Sequence, residues 1–532
     1  MKKLLLIVFS CIVYAAGIAQ DFTSSNLPII IINTNGQEII DDPKVMVNMG
    51  IIFNGPGYRN NITDAYNHYN GKAGIEIRGQ SSQQFPMKSY SIELWDDNGK
   101  GINKSLFGLP SESDWVLYAP YNDKTLMHNF LAYTISRQMG RWAANCRYAE
   151  LVLNGEYKGI YVLMEKIKRN SGRVNVSKIG SNDISGDAVT GGYIFSIDKE
   201  ADAWYSKYPA GSSSVQYSYI YPKASSIAQE QKDYIKNYVD GFEDALFSNN
   251  YQDKKLGWRK YADEQSFIDY LIVNEVSRNV DGYRLSSFFY KDRNEKINAG
   301  PVWDYDLAFR NANYCDGSKI EGWSWQFNNI CPSDFWQVPF WWNKLNADTA
   351  FRSNLFCRWT SLRQNILSSQ NLYRLIDSIS TLTTEARARH FQQWPVLGQY
   401  VWPNPSPIPA NYEEEISTLK SWIDNRLSWI DNNLSNTGAC ATYPSNVKTS
   451  AQIRITPIPV LSNTNIVIQS AISQQAHFRV YDMNGRLLVN YLLTLSRGDN
   501  IYNFDMGTWA KGVYTARLIT NSGEIINKRI VK

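Results

Sequence analysis

Between Ser435 and Ser450 the hydrophobic period of this 532-residue chain changes, and that change limits what it can fold into. Before the break, Ile416, Leu419, Ile423, Leu427, Ile430 and Leu434 recur at the three- and four-residue spacing of one helix face, with Trp422 and Trp429 beside them. After it the apolar residues come in short alternating runs, such as His477-Phe478-Arg479-Val480-Tyr481 and Gly512-Val513-Tyr514. A helical stripe and a period-two stripe bury different faces, so the two stretches belong to different units. The helix stops at Ser435-Asn436-Thr437-Gly438, and Pro444 to Ser450 is polar. The reading is an α+β chain: a large domain over 27–434, a linker at 435–449 and a small β-sandwich over 450–532.

The opening residues predict export. Lys2 and Lys3 precede a nearly all-apolar run from Leu4 to Ala16, and Gly17-Ile18-Ala19 offers small residues for cleavage. Residues 1–19 therefore read as a secretory signal peptide. Cys11 raises a lipoprotein alternative, for which Val8-Phe9-Ser10 is a poor lead-in. No later segment is apolar enough to span a membrane. In an exported chain cysteines can pair. Cys315 and Cys331 lie close together in a Gly-, Asn- and Trp-rich stretch and are expected to be linked. Cys357 with Cys440 is a possible second pair that would leave Cys146 free, but spacing alone does not fix the connectivity.

Composition excludes several classes. A net charge of +4 is too small for nucleic-acid binding to be read from it. The four histidines are scattered, which removes a His-rich zinc site and the H-E-x-x-H proteases. The 34 tyrosines and 17 tryptophans suit large cores or aromatic platforms for sugars.

Within the large domain, Leu27 to Leu94 is strand-like. Lys124 to Met139 has helical spacing. Two strands, Ala149 to Leu153 and Gly159 to Leu163, flank an Asn154-Gly155 hairpin turn. Gly211 to Ser214 reads as a loop. Helices are expected over 227–247 and 264–280, strands over 287–290 and 299–306, and mostly helix from Phe340 to Leu434.

Three constellations carry polar chemistry. In the first, Arg78-Gly79-Gln80-Ser81-Ser82 forms a turn with backbone N–H groups and hydroxyls, and Lys88 follows in phase with Tyr90, Ile92 and Leu94. A lysine on an apolar face either snorkels or meets a buried anion. In the second, Trp303-Asp304-Tyr305-Asp306, strand alternation would put both carboxylates on one face. They would repel unless a cation lay between them, and Mg²⁺ favours one or two carboxylates plus phosphates. A solvated acidic face is the plain alternative. In the third, Asn279 to Ser287, Asp281 stands at the mouth of a helix exit. A C-cap turn completed by Gly282 would also explain it.

Together these stretches, with Asn154-Gly155-Glu156-Tyr157-Lys158-Gly159-Ile160-Tyr161 and Glu165, resemble the spore-coat CotH kinase family over about Leu27 to Leu434. The resemblance implies an atypical protein-kinase-like, two-lobed domain that phosphorylates Ser/Thr residues of exported proteins, using ATP with Mg²⁺ or Mn²⁺. It implies that Lys88 contacts the nucleotide phosphates, with Arg78, Ser81 and Ser82 nearby. Glu165 would lie beside the adenine or pair with the phosphate lysine. Asp281 would be the base or orienting group, and Asp304 the chief metal ligand. The sequence departs from ordinary kinases in lacking a G-x-G-x-x-G loop. Ser286 also stands where a metal-binding asparagine is usual, so the second metal ligand is either Ser286 or Asp306.

The last unit resembles the type A sorting domain of the Bacteroidetes type IX secretion system. The likeness rests on Val480-Tyr481-Asp482-Met483-Asn484-Gly485-Arg486, Gly512-Val513-Tyr514 and the basic end Lys528 to Lys532, with Thr456-Pro457-Ile458-Pro459 in place of the usual P-N-P. It implies passage to the cell surface or medium with that machinery as partner. The competing class is a non-catalytic surface protein binding carbohydrate or protein. Such a protein needs neither Asp281 nor Asp304, and both are present with Lys88.

Overall fold

The computed structural model describes residues 22–532 except 56, 200–202, 212, 436–439, 441–450, 471–472, 484–486, 497 and 521–524. The signal-peptide reading, nearly all of the expected linker and Asn484-Gly485-Arg486 lie outside the described residues.

The strand-like N-terminal stretch closes on itself. Strands β1 (Ile29–Asn33), β2 (Val45–Ile52), β3 (Tyr69–Arg78), β4 (Ser89–Trp95), β5 (Asp114–Tyr118), β6 (Cys146–Leu153) and β7 (Glu156–Glu165) form a barrel in the order β1-β2-β3-β4-β5-β7-β6. It closes where β1 runs parallel to β6, Ile30 opposite Leu151. Alternation fills the interior with Ile30, Ile32, Met49, Ile75, Ile92, Trp115, Leu117, Tyr161 and Leu163. The residues between them, Val116, Ile160, Val162 and Met164, face outward into a second, larger core. The β6–β7 hairpin turns at Asn154 and Gly155, with φ of 52° and 81°, as the Asn-Gly pair predicts.

The second core belongs to a body of helices and one sheet. Helix α1 (His128–Gln138) lies between β5 and β6 in the chain. It starts later than the apolar spacing suggested, because the buried Asp123 accepts the N–H groups of Thr125 (3.1 Å) and His128 (2.8 Å) and sets the entry. Strands β8 (Tyr193–Ile197), β9 (Ala203–Ala210), β10 (Ser213–Tyr221), β11 (Ser287–Lys291) and β12 (Ile297–Ala299) form a sheet in the order β9-β10-β8-β11-β12. The stretch read as a loop at Gly211 to Ser214 is a hairpin connection, with β10 already begun at Ser213. Helices α2 (Gln229–Phe247), α3 (Glu264–Ser277), α4 (Trp341–Ala347), α5 (Thr349–Arg363), α6 (Ser369–Gln393) and α7 (Tyr412–Asn433) complete the body. The predicted stripe of α7 is buried from Ile416 to Ile430, with Trp422. No helix among the described residues is long and apolar enough to cross a membrane.

Two disulfides, Cys315–Cys331 and Cys357–Cys440, join the described cysteines and leave Cys146 buried and free. Past the break, strands β13 (Ala451–Thr456), β14 (Asn463–Ser470), β15 (Gln474–Tyr481), β16 (Leu487–Leu495), β17 (Gly498–Asp505), β18 (Val513–Thr520) and β19 (Ile525–Val531) form two antiparallel sheets, β13-β14-β17 and β16-β15-β18-β19. Their alternating apolar faces, Ile453, Ile466 and Ile468 on one and Phe478, Val480 and Leu518 on the other, share one core.

Candidate active site

The strand expected over 299–306 ends at Ala299. Pro301 offers no N–H to a ladder, and Asp304 has a φ of 64°, which breaks any alternation. The two carboxyls still meet, by a turn rather than by a strand face. A left-handed aspartate is tolerable when its surroundings fix it. Here the Asp304 N–H donates to Tyr133 Oη (3.1 Å) and its carbonyl accepts from Asn279 Nδ2 (3.3 Å). The next N–H, of Tyr305, donates to Asn129 Oδ1 (2.7 Å), and Tyr305 Oη donates to Asn274 Oδ1 (3.0 Å) on α3. The Asp306 carboxyl accepts from Asn122 Nδ2 (3.2 Å), in the loop ahead of α1.

Asp304 reaches solvent, yet protein crowds it on most sides, which describes the floor of a cleft. This lack of water, then the charges of Asp306 and Asp281, hold its carboxyl well above the ordinary range, and Arg78 only partly opposes them. Asp306 is pushed up to about 6, chiefly by the same desolvation. With two carboxyls this close and short of water, the pair resists carrying both charges at once. Tyr118, at the end of β5, has a buried hydroxyl with no partner among the described residues and feels both charges.

Asp281 arrives from the exit of α3. That helix ends at Ser277, and Arg278, with a φ of 45°, is its left-handed cap; the turn does not depend on Gly282 for that purpose. Gly282 serves close approach: a Cβ there would stand 2.5 Å from Asn274 Oδ1. Arg284 Nη2 donates to Asp281 Oδ1 (2.6 Å), while its Nη1 donates to Asp334 (3.2 Å). Arg78 comes from the barrel. It ends β3 and lies over the Trp303 ring, 5.6 Å from its centroid. Trp303 also stacks on Tyr133, with centroids 5.8 Å apart.

Arg78, Asp281, Asp304 and Asp306 are thus brought to one cleft. The other named residues lie elsewhere around it. Ser81 and Ser82 open a short turn after β3, and Lys88 Nζ donates to the Gln83 carbonyl (2.5 Å) with no ion pair to any of the three aspartates. Glu165 is fully buried; its Oε2 accepts from Asn145 N and Nδ2 (2.8 Å each), and Oε1 has no partner among the described residues. The Ser286 hydroxyl donates to Asp198 (3.3 Å). Cys315–Cys331 follows Tyr314, whose hydroxyl feels the charges of Asp281 and Asp306. Asn122, Asn129 and Tyr133 had not been singled out. Asn122-Asp123 is a helix-entry signal, hidden when the helix is begun at Lys124, and Tyr133 reads as one more core position of α1.

The donor set is hard oxygen: two mutually repelling carboxyls and the Asn122 amide. This suits Mg²⁺ or Mn²⁺. Among the described residues no three His, Cys, Asp or Glu side chains converge on one metal position. Water and ligand oxygens would therefore have to complete the shell, the arrangement Mg²⁺ prefers.

Residues 454–532 match the secretion system C-terminal sorting domain, which marks the chain for export by the type IX route to the cell surface or beyond. No curated protein matches the chain. The cleft and both of its walls fall within residues 75–430, which match the CotH kinase protein model, and the chain belongs to that family.

Proposed function

We propose that the protein is an exported atypical kinase that transfers the γ-phosphoryl group of a metal-bound nucleotide to Ser or Thr hydroxyls of exported proteins. The observation that carries this is the meeting of a barrel-borne arginine with three body-borne aspartates in one cleft. The barrel and the helical body would act as the two lobes of a kinase-like domain. Phosphoryl transfer asks little covalent work of a protein; positioning and charge neutralisation supply most of the rate. Asp304 and Asp306 would hold Mg²⁺ or Mn²⁺, which when bound neutralises phosphate charge. Asp281, oriented by Arg284, would take the proton of the acceptor hydroxyl as its oxygen bonds to the γ-phosphorus and the bond to the β-phosphate oxygen breaks. Arg78 would draw the phosphates to the barrel wall.

The test is nucleotide affinity and incorporation of labelled phosphate into the protein or a generic acceptor. ATP with Mg²⁺ or Mn²⁺ at about 100 times its Kd should stabilise the fold by ~2.7 kcal/mol. Asp281→Asn should keep nucleotide binding and lose turnover. If wild type binds no nucleotide with either metal, the kinase reading fails and a non-catalytic binding protein replaces it. For export, removal of residues 450–532 should leave a folded protein in the periplasm, and normal surface delivery of the truncated chain would overturn the sorting role.

A further inference from the structure

We propose that Lys166, beside Arg78, binds the oligophosphate of the donor, so that Lys166 rather than Lys88 is the lysine that meets it. This rests on the phosphotransferase reading. Lys166 directly follows β7, whose Val162 and Met164 face the helical body while Tyr161 and Leu163 fill the barrel. Alternation puts Lys166 on the body-facing side. Ile167, next in the chain, packs in a small cluster that Trp303 borders, and Arg78 lies over the Trp303 ring. The site of Lys166 is therefore next to the residue that precedes Asp304.

The flanking cations are already satisfied. Lys44 pairs with Glu76 (3.3 Å) and Glu93 (3.8 Å), and Lys168 pairs with Glu112 (2.9 Å) and Asp114 (2.6 Å). Lys166 and Arg78 feel charges from these pairs, and among the described residues neither side chain forms an ion pair or donates a hydrogen bond. Both are partly exposed, so their donors remain open to a ligand. They also repel each other: burial, then Arg78, lowers the Lys166 pKa, and Lys44 adds to the repulsion, while the charges of Asp114 and Glu76 only partly offset it. Two adjacent, unpaired cations are costly in an empty protein and are relieved by one anion that spans both. With Asp304 next to Trp303, that anion also reaches the acid pair, as a chain of phosphates bound with a divalent ion does and a single carboxylate does not. Lys88, whose ammonium is taken by a carbonyl, lacks this arrangement.

Calorimetric titration of the full chain with Mg²⁺–ATP and with Mg²⁺–tripolyphosphate tests the assignment. Lys166→Met and Lys166→Gln should weaken both ligands by about 10- to 100-fold, the range for a lost charged hydrogen bond, while Lys88→Met should stay near wild type. The ligand-free melting temperature of both Lys166 variants should equal or exceed that of wild type, because a repelled cation has been removed. A lower one would make Lys166 structural and overturn the proposal. If wild type binds both ligands and the Lys166 variants bind them equally well, Lys166 is not the phosphate lysine and the kinase reading stands. If wild type binds ATP but not tripolyphosphate, the base carries the affinity and the proposal falls. If wild type binds neither, the kinase reading itself has failed and takes the proposal with it.

Discussion

Two acidic centres, one on α3 at Glu275 and one in the turn at Asp304, are built in opposite ways. Glu275, on α3, is 1% exposed and faces Arg426 of α7, which is 0% exposed. Its Oε1 accepts from Tyr283 Oη (2.9 Å) and Trp325 N (3.1 Å), and its Oε2 from Ser324 N (2.9 Å) and Arg426 Nη2 (2.9 Å). Arg426 spends its other donors on the carbonyls of Glu275, Ile320 and Gly322. Nothing there is left for a ligand. Asp304 and Asp306 instead repel each other and Asp281; Asn122 gives Asp306 one hydrogen bond, Arg78 partly offsets the charge of Asp304, and among the described residues no ion pair joins either carboxyl. A saturated buried charge ties elements together; an unsaturated cluster of like charges in a cleft is a place for something else to bind.

The largest effect should come from breaking the saturated centre. Glu275→Ala would leave Arg426 buried and uncompensated, and should cost about 3–5 kcal/mol in chemical denaturation. A loss of under about 1 kcal/mol, the range of an exposed pair, would break the comparison.

Asp304→Asn should do the reverse. It removes one repelled charge, so the ligand-free protein should melt at the same temperature as wild type or higher. Metal-dependent nucleotide affinity should fall by about 100-fold or more, because a divalent ion contributes several kcal/mol at such sites. A variant that melts lower and binds normally would make the acid pair a structural device like Glu275.

Which centre was which could be read only in part. The Asp304-x-Asp306 spacing and the Asp281 loop were visible because charged residues stand inside apolar text. The strands, the Asn154-Gly155 turn and the stripe of α7 were visible because local periodicity fixes them. Barrel closure was not, since the parallel β1–β6 pairing joins segments far apart in sequence. Glu275 had no signal either: inside a continuous helical pattern it looks like any surface glutamate, and its partner Arg426 lies on another helix. The turn at Asp304 was misread as a strand because alternation is identical in both until the backbone angle is known. Lys88 stood out for its phase, but phase does not show that a carbonyl already holds its ammonium.

A third buried titratable group sits between the extremes. His390 of α6 is 1% exposed, and its Nδ1 accepts the Ile160 N–H (3.1 Å) of β7, tying barrel to body. Burial pushes its imidazole down to about 3 from 6.5. A depressed folded value means that its contribution is present above the unfolded pKa and is lost as pH falls from 6.5 towards 3. His390→Leu should cost about 1–3 kcal/mol near neutral pH, by leaving the Ile160 N–H unpaired, and should flatten the acid limb of the stability curve. Equal acid limbs in melts of the two proteins would show that His390 is not held neutral by burial.

The smallest effect tests whether nearby cations alone are enough to satisfy a carboxyl. Glu415, near the start of α7, lines a cavity with Asn122, Lys124, His128 and Arg310, behind the loop that holds Asp306. Among the described residues no ion pair joins it to either cation, because Lys124 donates to the Gln399 carbonyl and Arg310 to those of Pro405 (3.3 Å) and Pro407 (2.8 Å). Burial, aided by the charges of Asp123 and Glu414, raises Glu415 to about 7 from 4.5, against the pull of Lys124 and Arg310. A carboxyl raised in the folded state favours folding when protonated, so its contribution is present below the unfolded pKa and is lost as pH rises from 4.5 through about 7. Glu415→Gln mimics the protonated form and should match wild type at about pH 4.5, then exceed it increasingly up to about pH 8. Proximity without a hydrogen bond would then leave a carboxyl on the unsaturated side of the comparison. Parallel melting curves across that range would place Glu415 with Glu275 instead, and show that charges held at a distance can satisfy a carboxyl as well as direct bonds.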